Sequence, residues 1–158
     1  MRLGRWLRLL GQDVAIPAGD SDGELLCQAK AERRTIITRD RGLFQAARGR
    51  GLSCLLIRSS KLPDQLAEMA QSGLPMRLDP KRCTMCNGPL DEVDEADEGE
   101  MPGRRRWRCR CCRKIYWVGG HWKKVESMLE EIRIRSEKRS LFPDDSKHAG
   151  AFLEDREE

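Results

Sequence analysis

Aromatic side chains are scarce in this chain: four Trp, three Phe and one Tyr among 158 residues. Apolar residues of all kinds make up 39%, so any core is modest and built from aliphatic side chains. Long hydrophobic runs are missing too. No stretch is apolar enough to span a bilayer and none reads as a secretion signal, which argues against a membrane protein and for a reducing, cytoplasmic compartment. There is no internal repeat. A large net charge is also absent: 30 Lys and Arg face 26 Asp and Glu, leaving +4. Charge is nevertheless dense, at 35% of residues, and unevenly placed. Residues 1–78 carry 13 basic against 8 acidic side chains, residues 79–122 carry 9 against 8, and residues 123–158 carry 8 against 10. The basic excess of the first half suits an anionic partner without requiring one. The length fits one ordinary domain, or a smaller one with an appended module.

What the chain does have is cysteine, seven in all. Cys83-Thr84-Met85-Cys86 and Cys109-Arg110-Cys111-Cys112 form two CxxC pairs separated by a spacer. A CxxC turn presents two thiolates from one tight knuckle, and two such turns supply the four soft ligands of tetrahedral Zn²⁺. Asn87-Gly88-Pro89 lets the first knuckle wrap back so that backbone N–H groups point at sulfur. The spacing assigns Cys83, Cys86, Cys109 and Cys112 as structural zinc ligands, with Cys111 the ambiguous neighbour. Disulfides are the competing reading, and a reducing compartment disfavours them. Arg82, Arg108, Arg110, Arg113 and Lys114 would offset the negative charge of a Zn(Cys)4 centre. Cys27 and Cys54 sit in apolar settings and read as small core residues.

Taken in order, Leu3, Trp6, Leu7 and Leu10 fall on one face of a helix, with Arg2, Arg5 and Arg8 opposite and Gly11 at the expected C-cap. Residues 14–16 read as a short strand ended by Pro17. A helix then opens at 20–24, where Ser21 and Glu24 fit a capping box, and runs to about residue 32 with Leu25, Leu26 and Ala29 inward. Residues 35–38 and 52–57 are β-branched or aliphatic runs that read as buried strands. Between them lies a short helix at 43–47, and after them a helix runs from Pro63 to about Gly73. Alternating strands and helices predict an α/β fold, a parallel sheet with helices on both faces. The composition changes after Asp79-Pro80, where the cysteine module begins. Residues 91–100 read as a solvated acidic loop, and 115–118 as the module's last strand. Val125, Met128, Leu129 and Ile132 define an amphipathic helix to about 139, and residues 140–158 read as a disordered tail.

Ligands of open parallel sheets bind at the carboxyl ends of the strands. Asp40 follows the strand at 35–38, while Asp20, Asp22 and Glu24 follow the one at 14–16. If those strands are neighbours, the carboxylates converge on a hard cation, Mg²⁺ or Mn²⁺, suited to phosphodiester cleavage. Each acid also has a plainer role: Ser21 with Glu24 caps one helix, and Asp40 caps the next.

Several motifs together carry a family resemblance: Arg5-Trp6-Leu7-Arg8-Leu9-Leu10-Gly11, Ser21-Asp22-Gly23-Glu24-Leu25-Leu26, Thr38-Arg39-Asp40-Arg41-Gly42-Leu43, the knuckle Arg82-Cys83 to Leu90, and Tyr116-Trp117-Val118-Gly119-Gly120-His121-Trp122. From about residue 3 to 122 the chain resembles the Mut-seven C-terminal RNase family, a PIN-like nuclease domain joined to a zinc ribbon. The resemblance implies a divalent-metal-dependent ribonuclease engaged in RNA processing. Asp22, Glu24 and Asp40 match its acidic positions, Asp22 better than Asp20. It implies Mg²⁺ or Mn²⁺ at Asp22 and Asp40, and structural Zn²⁺ at the four cysteines. The family pattern opens with a strand ending in a further metal-binding aspartate. This sequence begins at the helix after it, so the resemblance leaves two expectations: an enzyme working with the remaining acids, or a non-catalytic RNA- or protein-binding zinc-ribbon module on a decayed scaffold.

The basic run Arg104-Arg105-Arg106-Trp107-Arg108 suits single-stranded RNA, with arginines on phosphates and Trp107 stacked on a base. The alternative is that these arginines neutralise the zinc centre and the acidic loop. Arg39, Arg41 and His121 complete the expected RNA-facing set. The sequence thus predicts a PIN-like α/β domain over 1–78, a ribbon over 79–122, a helix over 123–139 and a tail, with RNA as partner and a homodimer as a possibility.

Overall fold

A computed structural model describes residues 2–17, 19, 21–93 and 105–140. Expectations placed on Asp20, Arg104, the 94–100 part of the acidic loop, the side chain of His121 and the tail from 141 fall outside the described residues.

Helix α1, Arg2–Leu9, turns its Leu3, Trp6 and Leu7 inward, and Leu10 continues that stripe just past its end. Gly11 adopts φ +83°, while the N–H of Gln12 reaches back to the Leu7 carbonyl, closing the helix with a left-handed cap. A side chain there would also meet Asp79, whose N–H donates to the Leu9 carbonyl. Helix α2, Asp22–Ala31, starts at Ser21, whose hydroxyl accepts from the Glu24 N–H at 3.2 Å. Strand β1, Ile36–Thr38, helix α3, Arg41–Gly49, strand β2, Cys54–Leu56, and helix α4, Leu62–Gln71, follow. β1 and β2 pair in parallel, Ile36 beside Cys54 and Thr38 beside Leu56.

Alternation along these strands builds two cores. Ile36 and Cys54 face Leu26 and Ala29 of α2 and Leu43 and Ala47 of α3. Ile37, Leu55 and the following Ile57 face α1 and α4. Helices therefore cover both faces of the parallel sheet, as the α/β pattern predicts.

The cysteine module is a three-stranded antiparallel sheet of β3, Leu90–Val93, β4, Arg106–Cys109, and β5, Ile115–Trp117, in the order β3-β4-β5. Helix α5, Gly120–Ser140, then returns to the first layer. Its Leu129 and Ile132 are buried among Leu7, Leu66 and Met69, with Val125 and Met128 alongside, so the apolar stripe of this helix completes the larger core. Among the described residues no helix is long and apolar enough to cross a membrane.

Three expectations change. Residues 14–16 form no strand, because side chains take both backbone groups of Val14: its N–H donates to Asn87 Oδ1 at 3.1 Å and its carbonyl accepts from the Arg8 guanidinium. Residues 91–93 are strand rather than loop, since β3 gains a partner in β4. Cys27 is exposed, whereas Cys54 does pack against the α2–α3 core.

Candidate metal centre and acidic edge

The two knuckles repeat one backbone design. Asn87 N–H donates to the Cys83 carbonyl and Arg113 N–H to the Cys109 carbonyl; Cys83 N–H donates to Gly88 and Cys109 N–H to Lys114. Asn87 and Arg113, each directly after the second cysteine, both take positive φ, 66° and 63°. Each turn aims N–H groups at sulfur: Met85 and Cys86 at Cys83, Gly88 at Cys86, Cys111 and Cys112 at Cys109, and Lys114 at Cys112. A side chain at Gly88 would collide with Cys111 and Cys109, so the position requires glycine.

The sulfur atoms of Cys83, Cys86, Cys109 and Cys112 all lie within 4.8 Å of one another, with Cys83–Cys112 at 3.6 Å and Cys86–Cys109 at 3.5 Å. A tetrahedron with Zn–S bonds of about 2.3 Å has sulfur atoms about 3.8 Å apart, so the donor set and its dimensions fit zinc. Cys111 stands outside this group and is exposed. Cys83 and Cys109 are buried; Cys86 and Cys112 are exposed.

Packed thiols cannot all ionise, and their acidities separate. Burial disfavours the Cys83 thiolate, but N–H groups of Cys86 and Met85, the Tyr116 hydroxyl at 3.1 Å and Cys112 outweigh it and bring the thiol down to about 6. Cys109 also moves down: burial opposes it, and N–H groups of Cys112 and Cys111 prevail. Cys86 accepts from Gly88 N–H, which favours the thiolate, yet burial and the three neighbouring thiols push it up to about 12. Cys112 shifts upward as well: hydrogen bonds from Lys114 N–H and Cys86 favour its thiolate, but burial and the Cys83 and Cys109 thiols outweigh them. Without metal the cluster retains protons, which a cation must displace.

One arginine ties this centre to the first layer. Arg8, expected on the solvent side of α1, is only 4% exposed. Its Nε and Nη2 donate to the Val14 carbonyl at 2.9 and 2.6 Å, and its Nη1 donates to the carbonyls of Met85 at 2.9 Å and Thr84 at 3.3 Å. Asp13, the residue before Val14, receives Asn87 Nδ2, Arg34 and Arg82. Asn87 above all, helped by Arg34 and Arg82, holds the Asp13 carboxyl below the usual range against the opposing effect of burial.

The predicted acids are exposed and occupy helix N-termini. Asp22 and Glu24 lie in the first turn of α2, and Asp40 Oδ1 accepts from the Leu43 N–H at 3.0 Å as the cap of α3. Since α2 packs its Leu26 and Ala29 against Ile36 and joins β1 through a short connection, its first turn lies toward the strand's carboxyl end, where Asp40 stands. Among the described residues, however, the four cysteines form the one group of three or more potential ligands with all ligand atoms within 4.8 Å, and Asp22, Glu24 and Asp40 do not form another.

The family model of the Mut7-C RNAse domain matches residues 1–129, most of the chain. The chain belongs to the Mut7-C RNAse domain family. No curated protein and no solved structure matches it. The matched span of the Mut7-C domain runs past the His-Trp motif into α5 as far as Leu129, so part of the last helix belongs to the shared unit. Membership associates the chain with nuclease-like chemistry and RNA.

Among the basic residues expected to face RNA, Arg39 and Arg41 are exposed on either side of Asp40. Arg105 forks onto Glu92 and lies 5.2 Å over the Trp107 ring; Arg110 forks onto Asp91. Strand β3 thus supplies acids to the arginines at either end of β4, the neutralising role weighed for these residues. Trp107 is a correction. It is 4% exposed and stacks on Trp122 with ring centres 5.7 Å apart, so its face has a partner within the chain. Strand alternation carried that signal: Cys109 must point inward to reach the metal, and Trp107, two residues earlier, points the same way. Arg106 and Arg108, on the other face, are half-buried. An open groove of about 620 Å³ between residues 76–80, the ribbon and α5 is bordered by Arg77 and Trp122, but also by Glu126 and Glu130. Arg8, Asp13 and Trp122 were missed as contributors to the site, because their partners lie on other elements.

Proposed function

We propose that the chain is a divalent-metal-dependent ribonuclease acting on single-stranded RNA, in which the cysteine centre holds zinc structurally and steadies the RNA-binding surface. The match to the Mut7-C RNAse domain over residues 1–129 carries this reading. Asp22 and Asp40 are the candidates for holding Mg²⁺ or Mn²⁺, and Glu24 for a further ligand or for orienting water. Their exposed positions at the N-termini of α2 and α3, with Arg39 and Arg41 beside Asp40, support it: helix N-termini and arginines favour phosphate nearby.

The test is cleavage of labelled single-stranded RNA with Mn²⁺, with Asp40→Asn alongside. Asparagine caps a helix as well as aspartate does, so that variant keeps α3 while losing a charged ligand. Cleavage should vanish in the variant and in protein supplied with Zn²⁺ alone. Undiminished cleavage by Asp40→Asn would remove the metal role.

One observation favours a second reading. The four cysteines form the one gathered group of potential ligands among the described residues, which suits a zinc-ribbon binding module that has the scaffold without the activity. Wild-type protein that binds RNA salt-dependently and leaves it intact in Mn²⁺ would select that reading.

A further inference from the structure

Arg8 is a buried cation that makes no ion pair among the described residues. Burying an unpaired charge is unfavourable unless the opposite charge is supplied elsewhere. Two of the carbonyls it binds belong to the peptide groups Thr84–Met85 and Met85–Cys86. The N–H ends of those same two peptide groups, Met85 N–H and Cys86 N–H, point at Cys83 Sγ. The guanidinium and the sulfur therefore face each other through two aligned peptide dipoles, positive end toward thiolate and negative end toward Arg8. A Zn(Cys)4 centre, formally about −2, would supply the missing counter-charge.

We propose that Arg8 is a positioning residue of the metal centre: it holds and polarises the first knuckle through the Thr84 and Met85 carbonyls, and thereby links metal occupancy to the seating of α1 and of Val14. The proposal rests on the cysteine cluster taking zinc and is independent of nuclease activity. Arg8 acts on the ligand Cys83 without touching the metal. Because its other two donors fix the Val14 carbonyl, while Asn87 fixes the Val14 N–H, both backbone groups that shape the path toward Asp22 and Glu24 are held by residues that answer to the knuckle. Linkage makes the coupling mutual: what the arginine adds to zinc affinity, zinc adds to the order of residues 8–14.

The experiment compares zinc affinity, by competition against a chromophoric chelator, in wild-type protein, Arg8→Met, Arg8→Lys and Leu7→Ala. Leu7 is as deeply buried on the same helix but belongs to the apolar core. Removing an outer partner of a metal ligand lowers affinity by about 10–100-fold. That loss is expected for Arg8→Met, and a smaller one for Arg8→Lys, which keeps the charge without the fork. Leu7→Ala should lose stability but no affinity. The reciprocal readout is amide exchange: stripping zinc should deprotect Val14 and α1 in the wild type and change little further in Arg8→Met. Unchanged affinity in Arg8→Met, or an equal loss in Leu7→Ala, overturns the proposal. Should Arg8→Met fail to fold, Arg8→Lys decides on the same scale: a several-fold loss supports the coupling and unchanged affinity refutes it.

Discussion

Cys111 and Cys112 are chain neighbours with different fates. Cys112 Sγ lies 3.6 Å from Cys83, whereas Cys111 is left out of the four-sulfur group. Cys111→Ser should therefore keep one equivalent of zinc, while Cys83→Ser or Cys109→Ser, at fully buried positions, should lose nearly all of it, as elemental analysis of the purified variants would show. The thiols also fix how affinity responds to acid. Cys86, raised to about 12, and Cys112, also raised, carry protons at neutral pH, which zinc must expel. Binding that releases protons strengthens as pH rises, so log K should climb with a slope of at least about two between pH 7 and 8. Below about 6, where Cys83 becomes protonated as well, the slope should steepen. A chelator titration at several pH values checks this, and a flat profile contradicts the shared-proton arrangement.

At the scale of elements, α5 is bound by its apolar stripe rather than by its charges. Leu129→Ala, at 1% exposure, should destabilise the protein by about 2–5 kcal/mol, while Ile134→Ala on the exposed side should change stability by less than about 0.5 kcal/mol; urea unfolding separates the two. The stripe of α5, the capped start of α2 and the gly-terminated α1 were readable because each depends on residues three or four places apart. The same holds for the knuckles, whose spacing is local. Arg8 was not readable: helical period assigns a charged residue to water, and two of its three carbonyl partners lie 76 and 77 residues away, which leaves no mark in composition. Residues 14–16 failed as a strand for the same reason. Their β-branched character suits a ladder, but Arg8 and Asn87 had already taken the backbone groups of Val14. Of the candidate acids, the place of Asp40 at the carboxyl end of β1 was legible; that of Asp22 and Glu24 was not, because the strand expected before them does not form and their distance from Asp40 depends on packing between α2 and α3.

Over the whole molecule, chain order and spatial order differ. The last helix closes the core of the first layer, and the ribbon is clamped to α1 by Arg8 and the Asp79 N–H, and to Val14 just beyond it by Asn87. Removing the chain from residue 120 onward should therefore uncover Leu7, Leu66 and Met69, and size-exclusion chromatography should find that fragment aggregated rather than monomeric. A fragment that stays compact and soluble would mean that the first layer closes without α5. This arrangement also fits the extent of the family match, which reaches into α5 instead of stopping where the ribbon ends.

The near-parallel Trp107 and Trp122 rings, 10° apart in plane, join a ribbon strand to the first turn of α5. Two indoles held that close share their electronic excitation, so the pair forms a built-in optical gauge of one junction. Circular dichroism in the indole bands should report the moment α5 parts from the ribbon, with no dye and no engineered probe.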